Sequence, residues 1–235
     1  MKNPTPVSLL LVLISFSGVL SETNLQQKVL VFPAESDSAS VVLQAPLLEP
    51  LTSFTMCLRY YSLLTREYGL FSYATKEQYN QILLLKPSPN QYRLYLGEVY
   101  VTFILPEKKD SKPGWEHICV SWESATGLVA LWLDGEPLPR MGLQKSQCIH
   151  PEASIVLGQD QDSFGGGFDA SQSFVGEMKD VYMWNRVLNA DEVGLVSSDY
   201  VLSDSLINWR ALNYEIKGYV VLQPCQTPSP YGVQS

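Results

Sequence analysis

The 235 residues are 46% hydrophobic, enough for one sizeable buried core, and on that ground a disordered chain is excluded. Aspartate and glutamate outnumber lysine and arginine 24 to 16, a net charge of −8, which excludes nucleic acid as the main partner because phosphate binding relies on basic surface. Two histidines rule out a three-histidine zinc centre, and 15 glycines with 15 prolines point towards short strands joined by turns.

From the N-terminus, residues 1–21 read as a secretory signal peptide: Lys2, an apolar stretch from Val7 to Leu20, then polar sequence. The stretch is shorter than the roughly 20 apolar residues a spanning helix needs, so it predicts export and not anchorage. Val19 and Ser21 at the −3 and −1 positions favour cleavage after Ser21, with Gly18 as the competing cut point. No later run is long enough to span a membrane, and the chain is expected to be soluble, secreted and extracellular.

Short apolar runs then recur from Val29 to Leu222: VLVF, SVVL, FTMCLRYY, GLFSY, QILLL, YRLYL, YVTFIL, EHICVSW, LVALWL, ASIVLG, FVGEMKDVYMW and YVVL. β-Branched and aromatic residues alternate within several of them, and Pro, Gly, Asn and Asp bound them. This pattern predicts an all-β, two-sheet antiparallel sandwich. Asp134-Gly135, between LVALWL and EPLP, tolerates positive φ and predicts a two-residue hairpin. NADEVGLVSS predicts a helix, with Asn189 as N-cap and Glu192 closing a capping box; Gly194 keeps it short. Nothing divides residues 22–224, which are read as one domain, and the apolar-poor tail 225–235 is expected to fray.

Secretion would place Cys57, Cys119, Cys148 and Cys225 in an oxidising compartment, where three pairings are open. Cys57 and Cys119 lie in apolar alternating runs that suit a buried bridge. Cys148 and Cys225 lie in polar, turn-rich sequence that suits a surface bridge or a link between subunits. No Asn-x-Ser/Thr sequon with a residue other than Pro at x occurs, so no N-linked glycan is expected.

The segment GQDQDSFGGGFDASQSFVGE gathers Asp160, Asp162 and Asp169 with Gln161 and Gln172 around a glycine-rich turn, and contains nothing basic. Like charges so crowded favour a cation or solvent between them, and hard oxygen donors on a loop suit calcium. Composition leaves a calcium site and a solvated acidic loop both open. A two-carboxylate glycosidase is disfavoured, because its acids need environments that separate their pKa values and these share one hydrophilic loop. A serine triad is disfavoured too: neither His117 nor His150 has a nucleophile-elbow context, and His117 reads as a packed strand histidine. Trp122, Trp132 and Trp184 read as core, whereas Tyr92 and Tyr95, after the turn 87–90, could line a groove.

HICVSWESATG, His117 to Gly127, matches the signature His-x-Cys-x-Ser/Thr-Trp-x-Ser/Thr at every fixed position, and by it the chain resembles the short pentraxins. VFPAESDSASVVL, LFSYATKEQYNQILL, ASIVLGQDQDSFGGGFDASQSFVGE and NWRALNYEIKGYV extend the resemblance over residues 22–224. It implies a flattened jelly-roll domain with one helix on the face opposite a calcium site, assembled as a cyclic homo-pentamer. It also implies a Cys57–Cys119 bridge. The family's metal ligands fall on Asn80, Asp160, Gln161 (through its main-chain oxygen), Asp162, Asp169 and Gln172, for two Ca²⁺ ions per subunit. Where the family has a further aspartate this chain has Tyr79, so the ion nearest Asn80 is expected to be weakened. The family's apolar ligand pocket falls on Leu83, Leu85 and Tyr95.

The resemblance implies a non-enzymatic, lectin-like pattern-recognition protein of innate immunity, of the acute-phase kind. It would bind phosphate-bearing or other anionic ligands, such as phosphocholine or phosphoethanolamine, through calcium. Complement or Fc receptors are implied partners of the opposite face. The alternative is a secreted interaction protein on the same fold whose calcium-dependent ligand binding is weakened or lost.

Overall fold

The computed structural model describes residues 24–45, 47–105 and 113–226. The expected signal peptide and residues 227–235 of the expected tail lie outside them. Among the described residues the strands run as β1 (Lys28–Phe32), β2 (Ser40–Leu43), β3 (Ser53–Tyr61), β4 (Tyr68–Ala74), β5 (Ile82–Ser88), β6 (Gln91–Leu96), β7 (Val99–Ile104) and β8 (Glu116–Glu123). They continue as β9 (Leu128–Leu133), β10 (Glu136–Pro137), β11 (Met141–Gly142), β12 (Ser154–Leu157), β13 (Gly176–Trp184), β14 (Ile207–Asn208), β15 (Tyr214–Lys217) and β16 (Val221–Pro224).

Two antiparallel sheets face each other. The back sheet runs β10-β9-β8-β3-β13-β1-β16, with β11 beside β9 and β14 beside β13; the front sheet runs β15-β2-β12-β4-β5-β6-β7. The jumps between sheets along the chain make the jelly roll. Inward residues of both sheets, among them Phe54, Met56, Leu58, Phe71, Tyr73, Ile82, Leu84 and Leu94, form one buried core. Trp122, Trp132 and Trp184 are buried as expected. Tyr92 is not a groove residue: it is fully buried, because β6 alternates strictly and its even-numbered side chains face the core.

The local signals are realised. Asp134 and Gly135 have φ of 53° and 84°, and Leu133 pairs with Glu136 across that two-residue turn. Helix α1 (Ala190–Ser197) carries a complete capping box between Asn189 and Glu192. It lies on the outer face of the back sheet, where Arg59 of β3 donates to the Ser197 carbonyl at 2.6 Å. On this same face Cys57 and Cys119 stand directly opposite in the β3–β8 register and are bonded. Closing a loop of 62 residues contributes about 4 kcal/mol in a chain-entropy account. His117, two residues before Cys119 on β8, is buried; desolvation first, and then the Arg59 charge, push its pKa down to about 3, as fits a packed neutral histidine. Cys148 Sγ lies 3.9 Å from His150 Nε2, and Cys225 Sγ lies 3.5 Å from Lys179 Nζ.

One inward position breaks the apolar rule. Lys86 of β5 is 3% exposed, and its Nζ donates to Glu116 of β8 at 2.9 Å and to Tyr60 of β3 at 2.7 Å. The Tyr92 hydroxyl donates to the same Glu116 carboxylate. Burial pushes the Glu116 carboxyl up, but Lys86 and the hydrogen bonds from Tyr92, Lys86 and Tyr60 outweigh it and hold the group below the ordinary carboxylate range. A buried charge keeps its place only when paired, so this cluster joins the two sheets by mutual need. Glu116→Ala is expected to cost about 2 kcal/mol in chemical denaturation, discounted for the partial exposure of Glu116. The volume-matched pair Lys86→Met with Glu116→Val should recover most of it. Because the folded Glu116 pKa is depressed, the wild-type advantage should fade as pH falls below the usual carboxylate range.

Candidate metal and ligand site

Strand β4 is buried along its whole length, unlike the alternating β6. The cause is the loop 158–175, which leaves β12 and lies across the outer face of the front sheet. Gly69 makes this approach possible: a Cβ there would meet the Gln159 carbonyl carbon at 2.8 Å and the Asp160 nitrogen at 2.9 Å. Two buried amides pin the loop. Gln159 Nε2 donates to the Ser36 and Ala39 carbonyls at 2.8 and 2.9 Å. Gln161 Nε2 donates to the Ser72 carbonyl and hydroxyl and to the Ser154 carbonyl, and its Oε1 accepts from Gly165 N–H. At the loop's exit Phe174 enters the core edge-on to Phe32, centroids 5.3 Å apart.

The anchored loop presents its carboxylates over the sheet. Asp160 is only 7% exposed; desolvation first, then the charges of Asp162 and Glu67, raise its pKa to about 7. Asp162 is exposed. Asp169 is fully exposed and caps the short 3-10 turn Ala170–Gln172; hydrogen bonds from the Ser171 amide and hydroxyl hold its carboxyl below the ordinary range. Gln172 Nε2 donates to Glu67 Oε1 at 3.1 Å. Asn80 stands in the turn before β5, and its carbonyl accepts from Gly97 N–H at 2.7 Å.

Whether these groups fit a cation turns on what their oxygens lack. Asn80 Oδ1 and Asp160 Oδ1 are buried with no hydrogen-bond partner among the described residues. Unsatisfied buried acceptors are rare and costly. Asp160 Oδ1, close to the carboxylates of Asp162 and Glu67, is a hard oxygen that a calcium-sized cation would satisfy, and Asn80 Oδ1 is a second such acceptor in the turn before β5. The Gln161 side chain is fully spent on anchoring, which leaves its main-chain oxygen to serve. The Asp and Glu oxygens alone do not close a cage: among the described residues the group of ligand atoms within 4.8 Å of one another is Cys57, His117 and Cys119. Its sulfurs are already bonded to each other, so it offers no thiolate.

Beside the loop, Leu83 and Leu85 lie on the outward face of β5, yet are 1% and 2% exposed. Their cross-strand neighbours on β6 are Tyr95 and Arg93. Tyr95 is half-buried and packs on Tyr100, centroids 4.8 Å apart. Tyr79, in the turn beside Asn80, is 46% exposed. Sequence reasoning passed over Glu67 and Arg93. The alternation in QYRLYL placed Arg93 on the face of Tyr95, but nothing local announced that Glu67 would stand by Asp160.

The fold is a two-sheet jelly roll with a helix on one outer face and an anchored acidic loop on the other. The Pentaxin family model matches residues 28–224. The chain is 44% identical over 215 residues to C-reactive protein of Sus scrofa, covering 92% of this chain and 95% of that protein. It is 45% identical over 209 residues to serum amyloid P-component of Cavia porcellus, covering 89% and 92%. In three dimensions it is similar to a native heptameric SAP-like pentraxin from Limulus polyphemus, with a TM-score of 0.76 at 22% identity, over 87% of this chain and 98% of that one. The chain belongs to the pentaxin (pentraxin) family, and like other pentraxins it is a non-enzymatic binding protein. Among the described residues no helix is long and apolar enough to cross a membrane.

The raised pKa of Asp160 has a stability consequence. Without metal, the folded state holds a proton there that the unfolded chain releases near pH 4. Stability from this group is therefore present at low pH and is lost as pH rises towards 7. Asp160→Asn, in chelator, should stabilise the protein at pH 8 by on the order of 2 kcal/mol, and by less than half as much at pH 5, where only the first part of the loss has accrued. Thermal unfolding at the two pH values checks this.

Proposed function

We propose that this chain is a secreted, calcium-dependent pattern-recognition pentraxin that binds phosphate-bearing or otherwise anionic ligands. Asn80, Asp160, Asp162, Asp169, Gln172 and the main-chain oxygen of Gln161 would hold Ca²⁺, two ions per subunit. Bound calcium supplies positive charge to which a ligand's phosphate or carboxylate can coordinate. The chain's own part is to hold hard oxygens over the front sheet and to keep basic side chains out of the loop. In this way an acidic protein attracts anions, because the ions reverse the local field. The observation that carries the reading is the buried, unpartnered Oδ1 of Asp160 beside Asp162 and Glu67.

The rest follows the relatives. A cyclic homo-pentamer would present five such faces together, so that weak contacts of the phosphocholine or phosphoethanolamine type sum on a repetitive microbial or cell surface. The helix face, opposite the loop, would remain open to complement or Fc receptors. The similarity to C-reactive protein and serum amyloid P-component supports a secreted protein with a role in innate immunity.

One observation favours a second reading, in which calcium-dependent binding is weakened or lost. Tyr79, which replaces the family's aspartate, is a half-exposed phenol and not a carboxylate. Calorimetric titration of the mature protein with Ca²⁺, then with phosphocholine and phosphoethanolamine, separates the two. Calcium heat followed by ligand heat is expected; a folded oligomer that takes up no calcium would establish the second reading. Tyr79→Asp is expected to tighten calcium binding by about tenfold in the same titration, since it restores a charged ligand.

A further inference from the structure

We propose that Arg93 is a specificity-determining residue: its guanidinium selects ligands that carry a second anionic group and disfavours those that end in a quaternary ammonium. The proposal rests on the calcium-dependent anion reading above and refines it.

The strict alternation of β6 turns Arg93 and Tyr95 onto the outer face of the front sheet, the face over which the acidic loop lies. Arg93 stands opposite Leu85 in the strand register, and Tyr95 opposite Leu83. Since both leucines are almost wholly covered, a ligand reaching this part of the face meets Arg93, Tyr95 and Tyr100. The guanidinium is held in place: Nη1 donates to the Tyr95 hydroxyl at 3.2 Å, Nε donates to Thr102 Oγ1 at 3.4 Å, and Cζ lies 4.5 Å from the Tyr100 ring centroid. Its charge is met only loosely. The nearest carboxylate oxygen, Glu67 Oε2, is 4.0 Å away, and the other oxygen of that group already accepts from Gln172. Among the described residues, Nη2 donates to no acceptor.

A positioned planar fork with an open edge is the donor that a carboxylate or phosphate accepts in bidentate fashion. A quaternary ammonium fares differently on both counts. The Tyr95 and Tyr100 rings, which could otherwise receive it by cation–π attraction, already face a cation, and the guanidinium repels a second one. Arg93 therefore makes this surface an anion receptor beside the candidate calcium ligands. The ligand class it fits bears a phosphate or phosphonate for the metal and a carboxylate, or a second phosphate, a few bonds away.

Calorimetric titration of the calcium-loaded mature protein with propylphosphonate, 3-phosphonopropionate and phosphocholine tests this. The expected order has 3-phosphonopropionate about tenfold tighter than propylphosphonate, with phosphocholine weakest. In Arg93→Ser the gap between the two phosphonates should close to less than about twofold, through a larger loss for 3-phosphonopropionate than for propylphosphonate, which should still bind in calcium; Arg93→Lys should keep part of the gap. Equal affinity for the two phosphonates in the wild type overturns the proposal without any variant, as does a gap that survives Arg93→Ser, and in both cases calcium-dependent binding of propylphosphonate leaves the underlying reading intact. If no phosphonate binds in calcium, that reading fails and this proposal falls with it.

Discussion

A carboxylate pressed into protein beside two others of its own sign is the constraint around which one face of this molecule is arranged. Asp160 lies there because the backbone around it cannot lift away: Gly69 lets the loop settle on β4, and Gln159 and Gln161 tie it to carbonyls beneath. With Asp162 and Glu67 close by, the group either keeps a proton or takes a cation. The anchoring and the chemistry use different atoms. Amide side chains hold the loop, and the oxygens left over face the same problem of charge.

The sandwich separates two surfaces. The helix and the Cys57–Cys119 bond occupy the outer face of the back sheet, and the acidic loop occupies the outer face of the front sheet. Between them the core is apolar except where Lys86, Glu116, Tyr60 and Tyr92 satisfy one another across the two sheets. A cooperative core of this kind holds two faces at fixed positions while each carries its own chemistry. Net charge describes the whole surface, whereas the field at any one place is set by the few groups around it, so the acidic balance of the chain does not by itself decide what one loop can hold.

Much of the fold was legible because its signals are local. Alternation marked the long strands, Asp134-Gly135 marked a hairpin, and Asn189 with Glu192 marked the helix start. The two-residue strands β11 and β14 were not legible, being too short to show a period, whereas the equally short β10 was implied by the hairpin at Asp134-Gly135; β15 was hidden in a polar segment. The last strand lies at Val221–Pro224, two residues later than its apolar run begins; Tyr219 is exposed and the Val220 amide donates to the Gly218 carbonyl, within the preceding turn. Tyr92 shows the limit of reading a residue by type: a tyrosine after a turn suits a groove, but its even position on β6 commits it to the core.

By itself the sequence determined the class of the fold, the order of its long strands and the stretch of acids and amides over β4, because periodicity, turn chemistry and charge are carried by neighbours in the chain. Only the tertiary structure decided what those acids meet. Glu67 joins Asp160 from before β4, Arg93 comes to Leu85 from β6, and Lys86 finds Glu116 across the core, each from a different part of the chain. The electrostatics of a site are set by distance through space, and that distance is known only once the sheets have closed on each other.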